Sequence, residues 1–353
     1  MSILFAILLF SLLIFVHEFG HFITAKLSGV QVNEFSMFMG PALWKKQIGE
    51  TLYSIRLIPI GGYCAMEGED EETESPRSFQ KAAWWKRLII LVAGSAMNFL
   101  AGLLILAIVL APAQQFVTPV IGHIEEGCAL AGDNGIQVGD RILELDGEKI
   151  YVQSDFSMLL SLFPGETHDL VLERNGQKVY LDDFRMEKRE FTDPDGTTSL
   201  RYGFSFSLEE ATFGNKLYYT WNQAIDTVRM VRLSLKMLFT GQAGLSDMAG
   251  PVGIVSQMNE IAQESETAAI ALQNLLSMGA FIAINLAVMN LLPFPALDGG
   301  RVVCLLLTTA VEAVTKKKID PKYEGYLHGV GIMLLLGLMA IIMFKDIFVI
   351  FKG

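Results

Sequence analysis

The sequence predicts a polytopic α-helical membrane protein with about four transmembrane helices, a β-hairpin loop and an inserted extracytoplasmic α+β domain. Two observations lead to this prediction. Hydrophobic residues fill 52% of the 353 positions and charged residues only 18%, with a mean hydropathy of +0.40, which is too apolar for an ordinary soluble protein. The apolar residues also concentrate in four stretches long enough to cross a bilayer, at residues 2–24, 88–111, about 269–292 and 326–344.

Basic residues predict the orientation of these spans in the cell inner (plasma) membrane. They cluster in the loop after the first span and in the connection after the third, and the positive-inside rule places both regions in the cytoplasm. Both termini and the long segment 113–268 then lie outside the cytoplasm. The cytoplasmic basic residues are Lys26, Lys45, Lys46, Arg56, Arg77, Lys81, Lys86, Arg87, Arg301, Lys316, Lys317, Lys318 and Lys322.

Charge and cysteine content exclude two other classes of protein. The formal net charge of -11 argues against nucleic acid as a partner, because a phosphate-binding surface needs clustered lysines and arginines. Cys64, Cys128 and Cys304 are far apart in the chain, so they indicate neither a disulfide framework nor a paired-cysteine metal site. The bilayer is therefore the expected environment.

The outer segment begins with alternating apolar and polar residues, which predicts a small β-rich domain. The pairs Asp146-Gly147 and Asn175-Gly176 are typical of type I′ turns, because these turns need positive φ at both central residues. Two β-hairpins are therefore expected here.

Two helices are also expected in the outer segment. The stretch SDFSMLLSLF predicts a short helix capped by Ser154. Residues 210–245 interleave aromatic, aliphatic and basic side chains, which fits either an amphipathic helix on a membrane surface or an ordinary soluble helix.

Three titratable residues, His17, Glu18 and His21, end an otherwise apolar first span. Residues four apart on a helix lie on one face, so the two imidazoles can bind one ion, and neutral imidazoles suit zinc. Glu18 can take a proton from a metal-bound water. Ionisable side chains in a span need a partner or a wet cavity, and a metal ion satisfies all three together.

The third ligand is expected to be Asp298. No residue from Thr267 to Leu297 is charged, and a carboxylate after such a stretch needs a cation. Pro293 and Pro295 should break the third span before Asp298, which is tolerated where irregular backbone lines a cavity. Asn290 could hold a substrate backbone in that cavity, or make a hydrogen bond between helices.

These motifs resemble the site-2 protease family of intramembrane zinc metalloproteases. HEFGH lies in the first span, Gly94 and Asn98 form a GxxxN motif in the second, and NLLPFPALDGG follows the third. Gly250-Pro251-Val252-Gly253-Ile254 precedes the third span. The bacterial branch that contains the regulator of sigma-E protease, with four spans and a PDZ insertion, is the most similar.

The resemblance implies a role for individual residues. It implies that His17, His21 and Asp298 bind Zn2+, that Glu18 is the catalytic general base and that Asn290 contacts substrate. It also implies that Gly61 and Gly62 belong to a membrane-associated β-hairpin loop that pairs with the substrate strand, although a glycine pair after a strand is also common in turns. Asn98 is expected to support the packing of the site.

The resemblance also divides the chain into four parts. Residues 1–112 hold the first two spans with the HExxH motif and a cytoplasmic β-loop, and 116–205 form a single PDZ-like domain with the core GIQVGDRILELDG. Residues 206–268 form amphipathic membrane-surface helices, and 269–353 hold the last two spans. The PDZ-like domain could bind an extended chain by strand addition or act as a rigid spacer over the site.

The function implied is regulated intramembrane proteolysis. The substrates would be transmembrane segments of single-span membrane proteins, such as anti-sigma factors or remnant signal peptides. A catalytically silent PDZ-containing scaffold is an alternative, but it would not need Glu18 between two ligands. A transporter is a further alternative, but it would usually show inverted repeats and more spans.

Overall fold

The computed structural model describes residues 2–69, 73–192, 196–244, 248–316 and 322–352. Two of the predicted cytoplasmic lysines, Lys317 and Lys318, lie outside the described residues. The chain divides into two compact units, Met1–Val109 with Thr227–Gly353, and Leu110–Asp226. In chain order the elements are α1 (Ser2–Ser28), β1 (Val32–Ile48), β2 (Thr51–Met66), α2 (Trp84–Leu110), β3 (Gln115–Ile124), β4 (Arg141–Leu145), β5 (Glu148–Lys149), α3 (Gln153–Leu162), β6 (Thr167–Arg174), β7 (Gln177–Arg185), β8 (Arg189–Thr192), β9 (Thr198–Arg201), β10 (Phe204–Glu210), α4 (Phe213–Thr240), α5 (Pro251–Glu264), α6 (Ala268–Asn290), α7 (Asp298–Thr315) and α8 (Lys322–Lys352).

Four of the described helices are long and apolar enough to cross a membrane. Their spanning segments are Leu4–Ser28 in α1, Trp84–Leu110 in α2, Ala268–Asn290 in α6 and Tyr323–Phe348 in α8. Each contains more than the roughly 20 residues that a bilayer core requires. The prediction of four apolar spans is therefore confirmed.

The first unit is held together by apolar packing between these helices and α5. Met258 of α5 is fully buried against Leu9 and Leu13 of α1 and Leu275 of α6. This cluster holds the first half of α1, before the histidines. The second half packs in a separate cluster that includes Ala25, Phe35 of β1 and Ile90 of α2.

The β1–β2 region is a larger sheet than the predicted hairpin loop. Ser36 in the first half of β1 pairs with both Ser54 and Tyr63, while Trp44 in its second half pairs with Ile55. The two bent strands therefore form four sheet segments, in the order 42–48, 51–56, 32–37 and 62–66. The segment with Gly62 is one edge of this sheet.

A positive φ allows β1 to bend back on itself. Phe38 has a φ of 70° and Gly40 has a φ of 86°. Arg56 holds the bend, because its guanidinium donates to the Gly40 carbonyl at 2.6 Å and to Glu34 at 2.8 Å. Hydrogen bonds from Ser54, Arg56 and Tyr63 lower the pKa of Glu34 despite the opposing effect of burial.

The second unit contains an antiparallel sheet with the strand order β10-β3-β4-β6-β7, with β5 paired to β4. Asp146 and Gly147 have φ values of 51° and 78°, and Asn175 and Gly176 have φ values of 52° and 75°. Positive φ at both central residues defines the type I′ turn. Both predicted hairpins are therefore confirmed.

The helix in this unit begins differently from the prediction. The N-cap position is Val152, so Ser154 lies inside the first turn. The carboxylate of Asp155 reaches back and accepts hydrogen bonds from the N–H groups of Tyr151 at 2.6 Å and Val152 at 3.3 Å. The prediction of Ser154 as the cap was wrong, because the side chain of Asp155 in the first turn accepts from the N–H groups at the start of the helix instead.

Two further elements differ from the sequence-based boundaries. Strand β10 continues to Glu210, so position 205 falls inside a strand that completes the sheet. The connection between the third and fourth spans contains the helix α7, which the sequence pattern did not indicate. The amphipathic stretch 210–245 does form a helix, α4, over Phe213–Thr240.

Candidate metal centre

Helix α1 presents both predicted histidine ligands on one face. His17 and His21 are one helical turn apart, and their Nε2 atoms lie 3.1 Å apart. His21 is 7% exposed. The spacing thus brings two imidazole lone pairs to one point in a buried environment.

Helix α2 can approach this face only because it carries glycine there. A Cβ atom on Gly94 would lie 2.4 Å from Nε2 of His21 and 2.8 Å from Nε2 of His17. A Cβ atom on Gly20 of α1 would lie 2.5 Å from the Ala93 carbonyl oxygen. The two helices therefore cross in close backbone contact at the histidines, which is a geometry typical of small residues in membrane bundles.

Backbone and side-chain groups of α2 also orient the imidazole rings. Nδ1 of His21 donates to the carbonyl oxygen of Ile90 at 2.8 Å, which leaves its Nε2 with a free lone pair. The Asn98 amide lies 3.5 Å from Nδ1 of His17, and its buried Oδ1 has no partner among the described residues. The amide orientation that turns Oδ1 towards the ring lets it accept from Nδ1–H and satisfies both groups.

Asp298, the first residue of α7, completes the cluster. Its Oδ2 lies 3.1 Å from Nε2 of His17 and 3.4 Å from Nε2 of His21. As predicted, the helix breaks at the prolines, because α6 ends at Asn290 and α7 begins at Asp298. A carboxylate thus reaches the histidines from the first residue of a new helix.

These three side chains fit a zinc ion. In a tetrahedral site with bonds of about 2.0–2.1 Å, neighbouring ligand atoms lie about 3.3 Å apart. The separations of 3.1, 3.1 and 3.4 Å match this value closely. Oδ2 of Asp298 is buried with no hydrogen-bond donor among the described residues, and such an atom needs a cation. His17, His21 and Asp298 are the one group of this kind found in the described part of the chain.

Glu18 and the edge of the sheet lie beside this cluster. Glu18 interacts electrostatically with His17, His21 and Asp298. A Cβ atom on Gly62 would lie 3.5 Å from Cγ of Glu18 and 3.0 Å from the Ser36 carbonyl oxygen. Gly62 therefore allows the edge segment of β2 to pass directly over the carboxylate.

The remaining predicted residues, Gly61 and Asn290, lie in β2 and at the end of α6. Gly61 has a φ of 79°, which favours glycine at that position. Asn290 is half-buried at the end of α6, and no hydrogen bond joins its amide to another described residue. The next residue, Leu291, contacts the start of α7, since a Cβ atom on Gly299 would lie 2.2 Å from its carbonyl oxygen. The end of α6 thus packs against the start of α7, the helix that begins with Asp298.

Two neighbours of the site were not singled out from the sequence. Arg301, one turn after Asp298, forms an ion pair with Glu69 in the loop after β2. Cys64 of β2 is buried and lies near Glu18, and burial raises the pKa of its thiol. A protonated thiol is a poor metal ligand. Neither Glu69, an acidic residue after a strand, nor Cys64, a single cysteine, belongs to a local sequence pattern that would predict its place beside the metal centre.

Comparison with known proteins agrees with this geometry. The model of peptidase family M50 matches residues 5–338. The chain belongs to peptidase family M50. It is 36% identical over 349 residues to a Clostridium perfringens protein described as a predicted zinc metalloprotease, covering 98% of each chain. It is 28% identical over 433 residues to the zinc metalloprotease RasP of Geobacillus kaustophilus, covering 98% of this chain and 97% of that one.

A third relative indicates a biological setting for such an enzyme. The regulator of sigma-W protease RasP from Bacillus subtilis is 26% identical over 423 residues, covering 97% of each chain. The resemblance to the site-2 proteases is confirmed by these matches, and the chain is a membrane metalloprotease of that type. The scaffold and transporter alternatives are therefore disfavoured.

Proposed function

We propose that this chain is an intramembrane zinc metalloendopeptidase that cleaves the transmembrane segments of single-span membrane proteins. The observation that carries the proposal is the cluster of His17, His21 and Asp298, with ligand atoms 3.1 to 3.4 Å apart beside Glu18. The cluster joins the first span to the break after the third. The proposed metal ligands therefore belong to a membrane span or directly follow one, as an intramembrane protease requires.

In this proposal His17, His21 and Asp298 hold zinc and Glu18 is the catalytic base. Zinc, when bound, polarises a peptide carbonyl and lowers the pKa of a coordinated water. Glu18 accepts the proton from the attacking water and passes it to the leaving amine. Ile90 and Asn98 keep the imidazole rings turned so that their Nε2 atoms face Asp298.

A transmembrane substrate must unwind before it can be cleaved, because all its backbone amides are paired within the helix. The edge segment of β2 at Gly62 offers backbone groups for an added strand next to Glu18. The Asn290 amide offers a further hydrogen bond to the extended chain. Together these groups would replace the lost helical hydrogen bonds and hold the scissile carbonyl in place.

The proposed orientation places the termini and the second unit outside the cytoplasm and the metal centre near the cytoplasmic side. The basic residues after α1 and α6 support it. The native cysteines are poor topology probes, because Cys64 and Cys128 are both buried. Cysteines introduced at the exposed positions Lys178 and Lys46, labelled with a membrane-impermeant reagent on intact cells, test it. Labelling at position 178 alone is expected, and labelling at position 46 alone would invert the orientation.

The second unit is proposed to be a PDZ-like domain. Its edge strand β10 packs against α3, where the ring centroids of Phe156 and Phe206 lie 5.5 Å apart. Gly203, with a φ of 78°, directly precedes β10. A glycine turn before an edge strand that faces a helix favours binding of an extended peptide by strand addition.

A steric filter over the membrane site is the competing role for this unit. Removal of residues 115–210 deletes the sheet from the start of β3 to the end of β10. The two roles predict opposite effects of this deletion on substrate cleavage. A filter predicts that a substrate with a large outer domain becomes cleavable, while a trimmed substrate is cleaved as before. Substrate recruitment predicts weaker cleavage of the trimmed form in a deletion variant that still binds zinc.

The substrate class is proposed from the same observations. A relative is named as a regulator of sigma-W protease, which supports single-span anti-sigma factors as substrates. Remnant signal peptides have the same chemistry, an apolar helix without an outer domain. A panel of tagged single-span proteins, each co-expressed with the wild type, separates the two groups.

The central experiment compares two variants of the purified chain. Glu18→Gln should keep zinc and lose cleavage by about 100-fold or more, because a general base is not a ligand. Asp298→Ala should lose both zinc and cleavage. Normal cleavage by Asp298→Ala would show that the third ligand lies elsewhere, and normal cleavage by Glu18→Gln would remove the assigned base.

A further inference from the structure

A histidine on the last membrane span contacts the loop that carries Asp298. Nδ1 of His328, on α8, accepts a hydrogen bond from the backbone N–H of Ala296 at 3.2 Å. Ala296 lies two residues before Asp298 and has a φ of 93°. Residues other than glycine rarely adopt positive φ, because their Cβ atom crowds the backbone. Such strain persists only where neighbouring groups hold it in place.

The approach of α8 to this loop depends on a second residue of the same helical face. Gly331 follows His328 by three positions, which places the two on neighbouring turns of one face. A Cβ atom on Gly331 would lie 2.2 Å from the carbonyl oxygen of Pro295. The helix therefore contacts the loop backbone with no side chain between them.

The start of α7 also packs against the backbone of this loop. A Cβ atom on Gly300 would lie 2.3 Å from the Phe294 carbonyl oxygen, and one on Gly299 would lie 2.2 Å from the Leu291 carbonyl oxygen. The loop is thus enclosed between two helices. Among the described residues, the imidazole of His328 on α8 accepts the hydrogen bond from the N–H of the strained Ala296.

We propose that His328 is a positioning residue of the metal centre, which holds Ala296 in its left-handed conformation and thereby turns Asp298 towards His17 and His21. It acts through the backbone of the loop and is not a catalytic residue. This inference rests on the proposed zinc site, because it explains how the third ligand is fixed. It also assigns the fourth span a role in metal binding.

Three substitutions of His328 test the hydrogen bond itself. His328→Ala removes the acceptor and leaves the Ala296 N–H without it. His328→Asn places an amide oxygen close to the position of Nδ1, whereas the longer side chain of His328→Gln places it further from the helix. The measurement is the zinc retained per chain by the purified full-length protein after a challenge with a chelator.

The expected result for His328→Ala is about a 10-fold loss in zinc affinity, which is typical when a group outside the ligand shell is removed. His328→Asn should retain most of the affinity and His328→Gln should resemble His328→Ala. Met333→Ala, at a 67% exposed position of the same helix, is the matched control and should retain zinc like the wild type.

A second substitution separates positioning from general stability. Glycine adopts positive φ without strain, so Ala296→Gly should restore zinc retention when it is added to His328→Ala. Gly331→Ala should lower zinc retention, because its Cβ atom pushes α8 away from Pro295. A rescue by Ala296→Gly is not expected if His328 merely supports the fold of α8.

The outcomes distinguish this inference from the proposed function. Wild-type zinc retention by His328→Ala, or a double variant no better than His328→Ala, would overturn the positioning role. If His328→Ala fails to fold, His328→Asn against His328→Gln decides, and equal zinc retention by these two contradicts the proposal. A wild-type protein without zinc would overturn the metal site itself.

Discussion

The metal centre has two halves that are built in different ways. His17 and His21 lie on one uninterrupted helix, and their separation follows from helical geometry alone. Asp298 begins a new helix after a loop with a strained residue, Ala296. Local sequence thus determines the first half, whereas the second half depends on contacts with distant parts of the chain. The two halves should respond differently to substitution.

The largest effect is expected where a neighbouring helix meets the histidine half. Gly94→Ala places a Cβ atom 2.4 Å from Nε2 of His21, so the imidazole must move or α2 must shift. We expect about a 100-fold loss of zinc affinity, with cleavage lost in parallel. Gly337→Ala, a glycine of α8 with no atom within 4 Å of its added Cβ, is the control. Zinc binding by Gly94→Ala at the wild-type level would contradict the close approach.

A smaller effect is expected from the group that orients His17. Asn98→Ala removes the amide 3.5 Å from Nδ1 of His17 without disturbing the backbone contact at Gly94. Zinc affinity should fall by about 10-fold, as measured by competition with a chelator. Asn98→Asp, which keeps an acceptor for Nδ1–H, should recover part of the loss. Equal losses of zinc affinity in the two variants would show that the hydrogen bond to His17 does not contribute to metal binding.

The aspartate half can be loosened through a contact of α7 with the loop after β2. Arg301 pairs with Glu69, and both side chains are mostly buried, at 19% and 17% exposed. Arg301→Gln should weaken the contact between α7 and the loop after β2 by about 1 kcal/mol, or about fivefold in zinc retention. The reciprocal double variant, Arg301→Glu with Glu69→Arg, should recover part of it. Each single substitution also removes other contacts of Arg301 or Glu69. Recovery of zinc retention in the double variant is therefore the result that tests the ion pair itself.

The smallest effect is expected at the C-terminal end of α1, the helix that carries the histidines. Glu50 accepts hydrogen bonds from Arg77 and from Lys26 of α1, and these contacts lower its pKa from 4.5 to about 2. Because the folded pKa is depressed, the stabilisation is present above pH 4.5 and is lost as the pH falls towards 2. Thermal unfolding of Glu50→Gln and the wild type should differ slightly near neutral pH and converge in acid. A difference that grows in acid would have the wrong sign.

The helical half and the outer turns could be predicted from the sequence because their signals are local. Two histidines four apart on an apolar helix already define a pair of ligands. Asp146-Gly147 and Asn175-Gly176 specify turns that few other residue pairs can adopt. Asp298 was recognisable because a lone carboxylate beside a membrane span needs a cation.

Other features could not be predicted, because they depend on residues that meet only in the folded chain. Nothing near Ser36 indicates that it pairs with both Ser54 and Tyr63. The contact between His328 and Ala296 joins positions 32 residues apart, and a single histidine on an apolar helix carries no signal for its partner. The hydrogen bonds from Tyr151 and Val152 to Asp155, in the first turn of α3, were missed because Ser154 is a good N-cap candidate by residue type.

X-ray absorption at the zinc edge of purified Glu18→Gln protein tests the central claim most directly. We expect one zinc per chain, bound by two imidazole nitrogens and by oxygen at about 2.0–2.1 Å. Zinc–sulfur scattering at about 2.3 Å would contradict this ligand set. It would indicate that the buried thiol of Cys64, which lies near Glu18, binds the metal. Asp298→Ala is expected to lose the zinc and, with it, the imidazole signal. An unchanged zinc environment in that variant would show that Asp298 is not a ligand.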